Sequence, residues 1–70
     1  MRKNYEIPVY NSQVRQAIRN GDKHPSLGDE WADTHFITVS ANSPEEAVIV
    51  CRRKHPERMG YVLGDVTEEF

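Results

Sequence analysis

The sequence predicts a single small α+β domain with the element order β-α-β-α-β, a three-stranded sheet and helices packed mainly on one face. Three observations predict it. Apolar and polar residues alternate over 5–10 and again over 35–41, the period of strands with one covered face. A helix-capping pattern opens at Ser43. Seventy residues at 37% hydrophobic content supply one modest core and no second one. Residues 1–70 are therefore expected to form one domain, with flexible ends at about 1–4 and 67–70.

In the first strand, about 5–10, Tyr5, Ile7 and Val9 share one face and Glu6, Pro8 and Tyr10 the other. Pro8 has no N–H for a ladder, which predicts an edge position for this strand, or an unpaired side at that residue. Asn11-Ser12 offers N-cap chemistry, Val14, Ala17 and Ile18 form one apolar stripe, and Asn20-Gly21 supplies a left-handed stop, giving a helix over 12–20. Residues 21–34 have no periodicity and read as a long polar loop. The second strand, 35–41, places Phe36, Thr38 and Ser40 on one face and Ile37, Val39 and Ala41 on the other.

The clearest local signal follows. Ser43 as N-cap, Pro44 at the first helical position and Glu46 three residues after the cap form a capping box. Ala47, Val48, Val50 and Cys51 make the apolar arc of a helix over 43–55, which Pro56 stops. Residues 61–66 read as the third strand and 67–70 as a tail.

The net charge of −2 is segmented. Residues 1–24 carry five basic and two acidic side chains; 25–51 carry five acids and no Lys or Arg. Arg52, Arg53, Lys54 and Arg58 then form a basic cluster beside Glu57, and Asp65, Glu68 and Glu69 close the chain. The longest apolar run, Ala47 to Cys51, falls far short of the roughly 20 residues that cross a bilayer. No signal-peptide pattern follows Arg2-Lys3, so a cytoplasmic protein without membrane contact is expected. One cysteine excludes an intrachain disulfide.

Candidate chemistry is sparse. Cys51 and His55 stand four apart on one helix, a spacing at which a thiol and an imidazole meet. Cys51 nevertheless sits amid the apolar arc, while His55 occupies the last turn, where an imidazolium complements the helix dipole. Asp29, Glu30, Asp33 and His35, with His24 nearby, match no calcium-loop or helical metal-ligand spacing. The four glycines are isolated, so no phosphate loop exists. No catalytic, cofactor or metal residue is assigned, and no cofactor is expected.

Interaction is the remaining class. A small core with no disulfide or metal favours association. Trp31, alone in an acidic stretch, reads first as a residue that folds back to seal a small core and otherwise as a partner anchor; with Phe36, Ile49 on the polar side of its helix, and Tyr61 it makes up the candidate contacts for a protein partner or a second copy. The alternative is binding of single-stranded nucleic acid (RNA) by Arg52, Arg53, Lys54 and Arg58, with Phe36 and Tyr61 as stacking faces on an exposed sheet. The layout of a Tyr5-Glu6-Ile7-x-Val9 strand, a strand ending at Ala41, a Ser43-Pro44-Glu45-Glu46-Ala47 helix and a final strand resembles small accessory proteins such as the small B subunit of the phenylacetyl-CoA epoxidase complex. The resemblance covers about half of the chain, excludes residues 11–34 and rests on pattern. It implies an accessory-subunit role and transfers no functional residue.

Overall fold

The computed structural model describes residues 1–69; Phe70, part of the expected tail, lies outside the described residues. Strand β1 (Lys3–Asn11) runs into helix α1 (Ser12–Arg19), and a 3-10 turn (Asp29–Ala32) precedes strand β2 (His35–Ala41). Helix α2 (Pro44–Lys54), a second 3-10 turn (Glu57–Met59) and strands β3 (Tyr61–Leu63) and β4 (Thr67–Glu69) complete the chain. The fold is α+β, as the alternation and the caps predict. The antiparallel sheet has four strands rather than three, because residues 67–69 form β4 where the sequence reads as a tail.

Strand β1 is central, which corrects the edge position predicted from Pro8. It pairs with β2 from Lys3↔Ala41 to Val9↔His35. Its other side takes β3 at Val9↔Leu63 through Asn11↔Tyr61, and β4 at Asn4↔Glu69 through Glu6↔Thr67. The two registers on that side differ by one residue, so Gly64-Asp65-Val66 form a bulge opposite Ile7 and Pro8. A bulge is where a sheet tolerates a missing donor. The Pro8 carbonyl still accepts from the Gly64 N–H at 2.7 Å. A Cβ on Gly64 would stand 2.6 Å from Pro8 Cγ, so the bulge requires glycine there. Both β2 and β3 run antiparallel to β1; they are thus parallel to each other, with β1 between them.

The core forms on one face of this sheet. Tyr5, Ile7 and Val9 of β1, Val39 and Ala41 of β2 and Tyr61 of β3 pack with Ala47 and Cys51 of α2. Helix α2 begins as its sequence dictates: Pro44 opens it and the Ser43 side chain accepts from the Glu46 N–H at 3.1 Å. Helix α1 is held by its first residues. Asn11, fully buried, accepts from the Gln13 and Val14 N–H groups at 2.9 and 3.1 Å and donates to the Met59 carbonyl at 3.0 Å. Gly60, at φ +93°, lets its carbonyl accept from the Ser12 N–H at 2.7 Å. A side chain there would press on both Gln13 and Asn11.

Order within the expected loop comes from two residues. His24 Nδ1 accepts from the Ser26 and Leu27 amides at 3.1 Å each, so its Nε2 carries the proton and donates to Gln13 Oε1 at 3.2 Å. The 3-10 turn then carries Trp31 back onto the core, fastened by the Arg15 guanidinium donating to the Ala32 carbonyl at 2.6 Å.

Candidate functional site

Four rings meet where the first 3-10 turn, the start of β2, the end of α2 and the start of β3 converge. Trp31 stacks on His35 with centroids 4.4 Å apart and meets Tyr61 edge-on at 5.2 Å. His55 lies 5.7 Å from Trp31 and 5.1 Å from Tyr61. Both histidines have one nitrogen committed. His35 Nε2 donates to the Glu30 carbonyl at 2.8 Å, and His55 Nδ1 donates to the Cys51 carbonyl at 3.0 Å, since a carbonyl oxygen only accepts.

That commitment decides the chemistry of Cys51. Its Sγ lies 3.7 Å from His55 Nδ1, the spacing that i and i+4 positions give on a helix. This nitrogen already carries a proton and spends it on the Cys51 carbonyl, so it is no base for the thiol. Burial pushes the thiol above its ordinary value of 9.0, outweighing the lowering by Arg52. A protonated, buried thiol is a poor nucleophile. The pair has the geometry of a helix C-terminal cap. Among the described residues, no three His, Cys, Asp or Glu side chains converge as a metal site.

The four candidate contacts separate. Trp31 is half-buried in the ring cluster, and Tyr61 is buried at 9% exposure beneath it, so Tyr61 offers neither a contact surface nor a stacking face. Phe36, 64% exposed, and Ile49, 54% exposed, are free. They lie on opposite sides of the molecule. Ile49 is on the outer surface of α2, whereas Phe36 belongs to the sheet face away from the core. There Phe36 neighbours Pro8, and Tyr10 pairs with Val62 across β1 and β3. The Arg15 guanidinium sits 3.5 Å above the Tyr10 ring, a cation–π contact at the end of this face. The rest of the face is polar, with Glu6, Thr38 and Thr67 in one row.

Arg52, Arg53 and Lys54 are exposed on the last turn of α2, and Arg58 is exposed on the second 3-10 turn. They stand on the helix side of the sheet, away from Phe36. Two cavities flank them. One, of about 170 Å³, opens between Arg52, His55, Glu57 and β3. The other, of about 190 Å³, runs between residues 37–40 of β2 and Val50, Cys51, Lys54 and His55 of α2. Sequence reasoning missed the ring cluster and this second cavity; their residues are far apart along the chain and share no motif.

Among the described residues, no helix is long and apolar enough to cross a membrane. No family model, curated protein or solved structure matches this chain.

Proposed function

We propose that this chain is a protein-interaction or accessory domain, acting in the cytoplasm without catalysis of its own and docking through the open face of its sheet. One observation carries the reading. The face that the helices leave uncovered bears Phe36 at 64% exposure and Val62 at 37%, beside Pro8 and Tyr10. An aromatic held on a strand is a rigid anchor of the kind enriched at the centre of interfaces. The loop adds Asp29, Glu30 and Asp33 as exposed charges, which set encounter rate and partner choice more than affinity. With its ring turned into the cluster, Trp31 is a support of that loop rather than its anchor.

Nucleic-acid binding by Arg52, Arg53, Lys54 and Arg58 is the second reading, favoured by the exposure of all four. It draws less support, because Tyr61 is buried and Phe36 faces the other way. Cations at a helix C-terminus also stabilise the helix with no ligand at all.

The test is affinity capture from the native cell with the wild-type chain, Phe36→Asp and Ile49→Asp, each checked for folding by circular dichroism. A partner retained by wild type and by Ile49→Asp, and lost with Phe36→Asp, supports the reading. Capture that ignores Phe36→Asp overturns it, as does capture of nucleic acid abolished by Arg52→Glu/Arg53→Glu.

A further inference from the structure

The two edges of the sheet differ in a way that points to a partner. The β3/β4 edge consists of two three-residue strands broken by the bulge and carrying Glu68 and Glu69, the usual protections against strand addition. The β2 edge is seven residues long, unbroken, and has neither proline nor an Asp, Glu, Lys or Arg within it. Its hydrogen-bonding phase follows from Pro8. The Pro8 carbonyl faces β3, so Pro8↔Phe36 is a non-hydrogen-bonded pair of the β1–β2 ladder. The N–H and C=O of Phe36 therefore point away from β1, and by alternation so do those of Thr38 and Ser40. Arg2 agrees with this phase, reaching over the strand to donate to the Ser40 carbonyl at 2.8 Å.

Helix α2 lies alongside this edge, since the cavity of about 190 Å³ separates residues 37–40 from Val50 and Lys54. On a helix Glu46, Val50 and Lys54 form one i, i+4, i+8 row. That row is self-complementary under a two-fold axis through Val50: Val50 meets Val50 of the other copy, and Glu46 meets Lys54 in both directions.

We infer that the free edge of β2 binds a second copy of this chain, antiparallel about Thr38, giving a continuous eight-stranded sheet with two α2 helices side by side. In this register Thr38 exchanges both backbone hydrogen bonds with Thr38 of the other copy, and Phe36 does the same with Ser40 as the exposed Arg2 side chain swings off the Ser40 carbonyl it holds in the single chain. Ile37, half-buried in one chain, packs against Val39 of the other on the core side. Strand addition supplies main-chain hydrogen bonds, and the helix row selects the antiparallel orientation. The inference deepens the interaction reading by naming a second copy as a partner, on a surface other than the open sheet face.

Sedimentation equilibrium over a concentration series tests it. The wild type should rise from 8.1 kDa toward twice that mass. Thr38→Pro removes an outward N–H and no bond to β1, so it should fold and stay monomeric. Glu46→Lys should raise the dissociation constant on the order of tenfold, and Glu46→Lys/Lys54→Glu should restore it. A wild type monomeric at every concentration overturns the inference, as does a folded Thr38→Pro that dimerises normally. A double variant as weak as the single one overturns the antiparallel register. The outcomes separate the two readings: capture lost with Phe36→Asp but kept by a monomeric Thr38→Pro upholds docking through the sheet face alone, whereas dimerisation without any Phe36-dependent capture upholds the edge alone.

Discussion

Replacing Asn11 by alanine should be among the most damaging single changes to this fold. The side chain is fully buried and makes three hydrogen bonds: it accepts from two α1 amides and donates to the Met59 carbonyl. Loss of the bond from the N–H of the exposed Gln13 costs about 1 kcal/mol. Val14 has no exposure, so its orphaned N–H gains no water, a penalty of about 1–3 kcal/mol. Met59 is 41% exposed, and water replaces the donor to its carbonyl at little cost. The total, about 2–4 kcal/mol, is a large share of the roughly 4–10 kcal/mol expected for 70 residues. Urea denaturation followed by Trp31 fluorescence and far-ultraviolet circular dichroism measures it, with Asn11→Ser as the variant that keeps an acceptor and loses less. An Asn11→Ala loss below about 0.5 kcal/mol, smaller than an ordinary cap, would refute the argument that this residue joins β1, α1 and the second 3-10 turn.

Two further changes probe the sheet and the thiol. Gly64→Ala should destabilise by about 1–3 kcal/mol, since its Cβ meets Pro8 Cγ at 2.6 Å, and Pro8→Ala in the same chain should return part of that loss in denaturant titrations. For Cys51, the folded state holds the thiol proton more tightly than the unfolded chain does, so the contribution is complete below pH 9.0 and is lost as pH rises through the folded value. Melting curves from pH 8 upward should therefore show a steeper alkaline loss for the wild type than for Cys51→Ala, and native Cys51 should react with a thiol reagent more slowly than the unfolded chain. Equal alkaline slopes would count against burial as the cause.

What the sequence made legible was local. Ser43 and Pro44 open α2 where they indicate, with the Ser43 side chain accepting from the Glu46 N–H, while the Glu46 carboxylate accepts from Asn42 Nδ2 at 3.3 Å. The alternation of Tyr5, Ile7 and Val9 also names a buried face correctly, because a period of two survives any strand order. Strand order itself was hidden. Pro8 reports one missing donor, and a bulge on a distant segment accommodates it as well as an edge does. Thr67-Glu68-Glu69 carries no apolar alternation, and β4 exists through pairing with β1 and an ion pair between Lys3 and Glu68 at 3.3 Å. Ile49 and Phe36 were recognisable as surplus apolar residues, whereas Tyr61 was misread. The pattern over 61–66 does not say which side of the strand meets a covered face, and the rings packed on Tyr61 come from residues 31 and 55.

The central place of β1 has a kinetic consequence. The strand that organises the sheet is made first, yet each of its neighbours is distant along the chain: Lys3 waits for Ala41, Asn11 for Tyr61 and Asn4 for Glu69. No local hairpin pairs it in the meantime, so the entropy of closing long loops must be met before any ladder bond offsets it. Chains with such non-local pairing fold on the order of milliseconds to seconds, against microseconds for helical bundles. Helix α2, capped by its own residues, is free to form early and offer Ala47 and Cys51 as the surface on which β1 and β2 collapse. Until α2 docks, Tyr5, Ile7 and Val9 remain an open apolar stripe, and until β3 and β4 arrive one edge of β1 stays unpaired; that interval is when this protein is most exposed to misassociation.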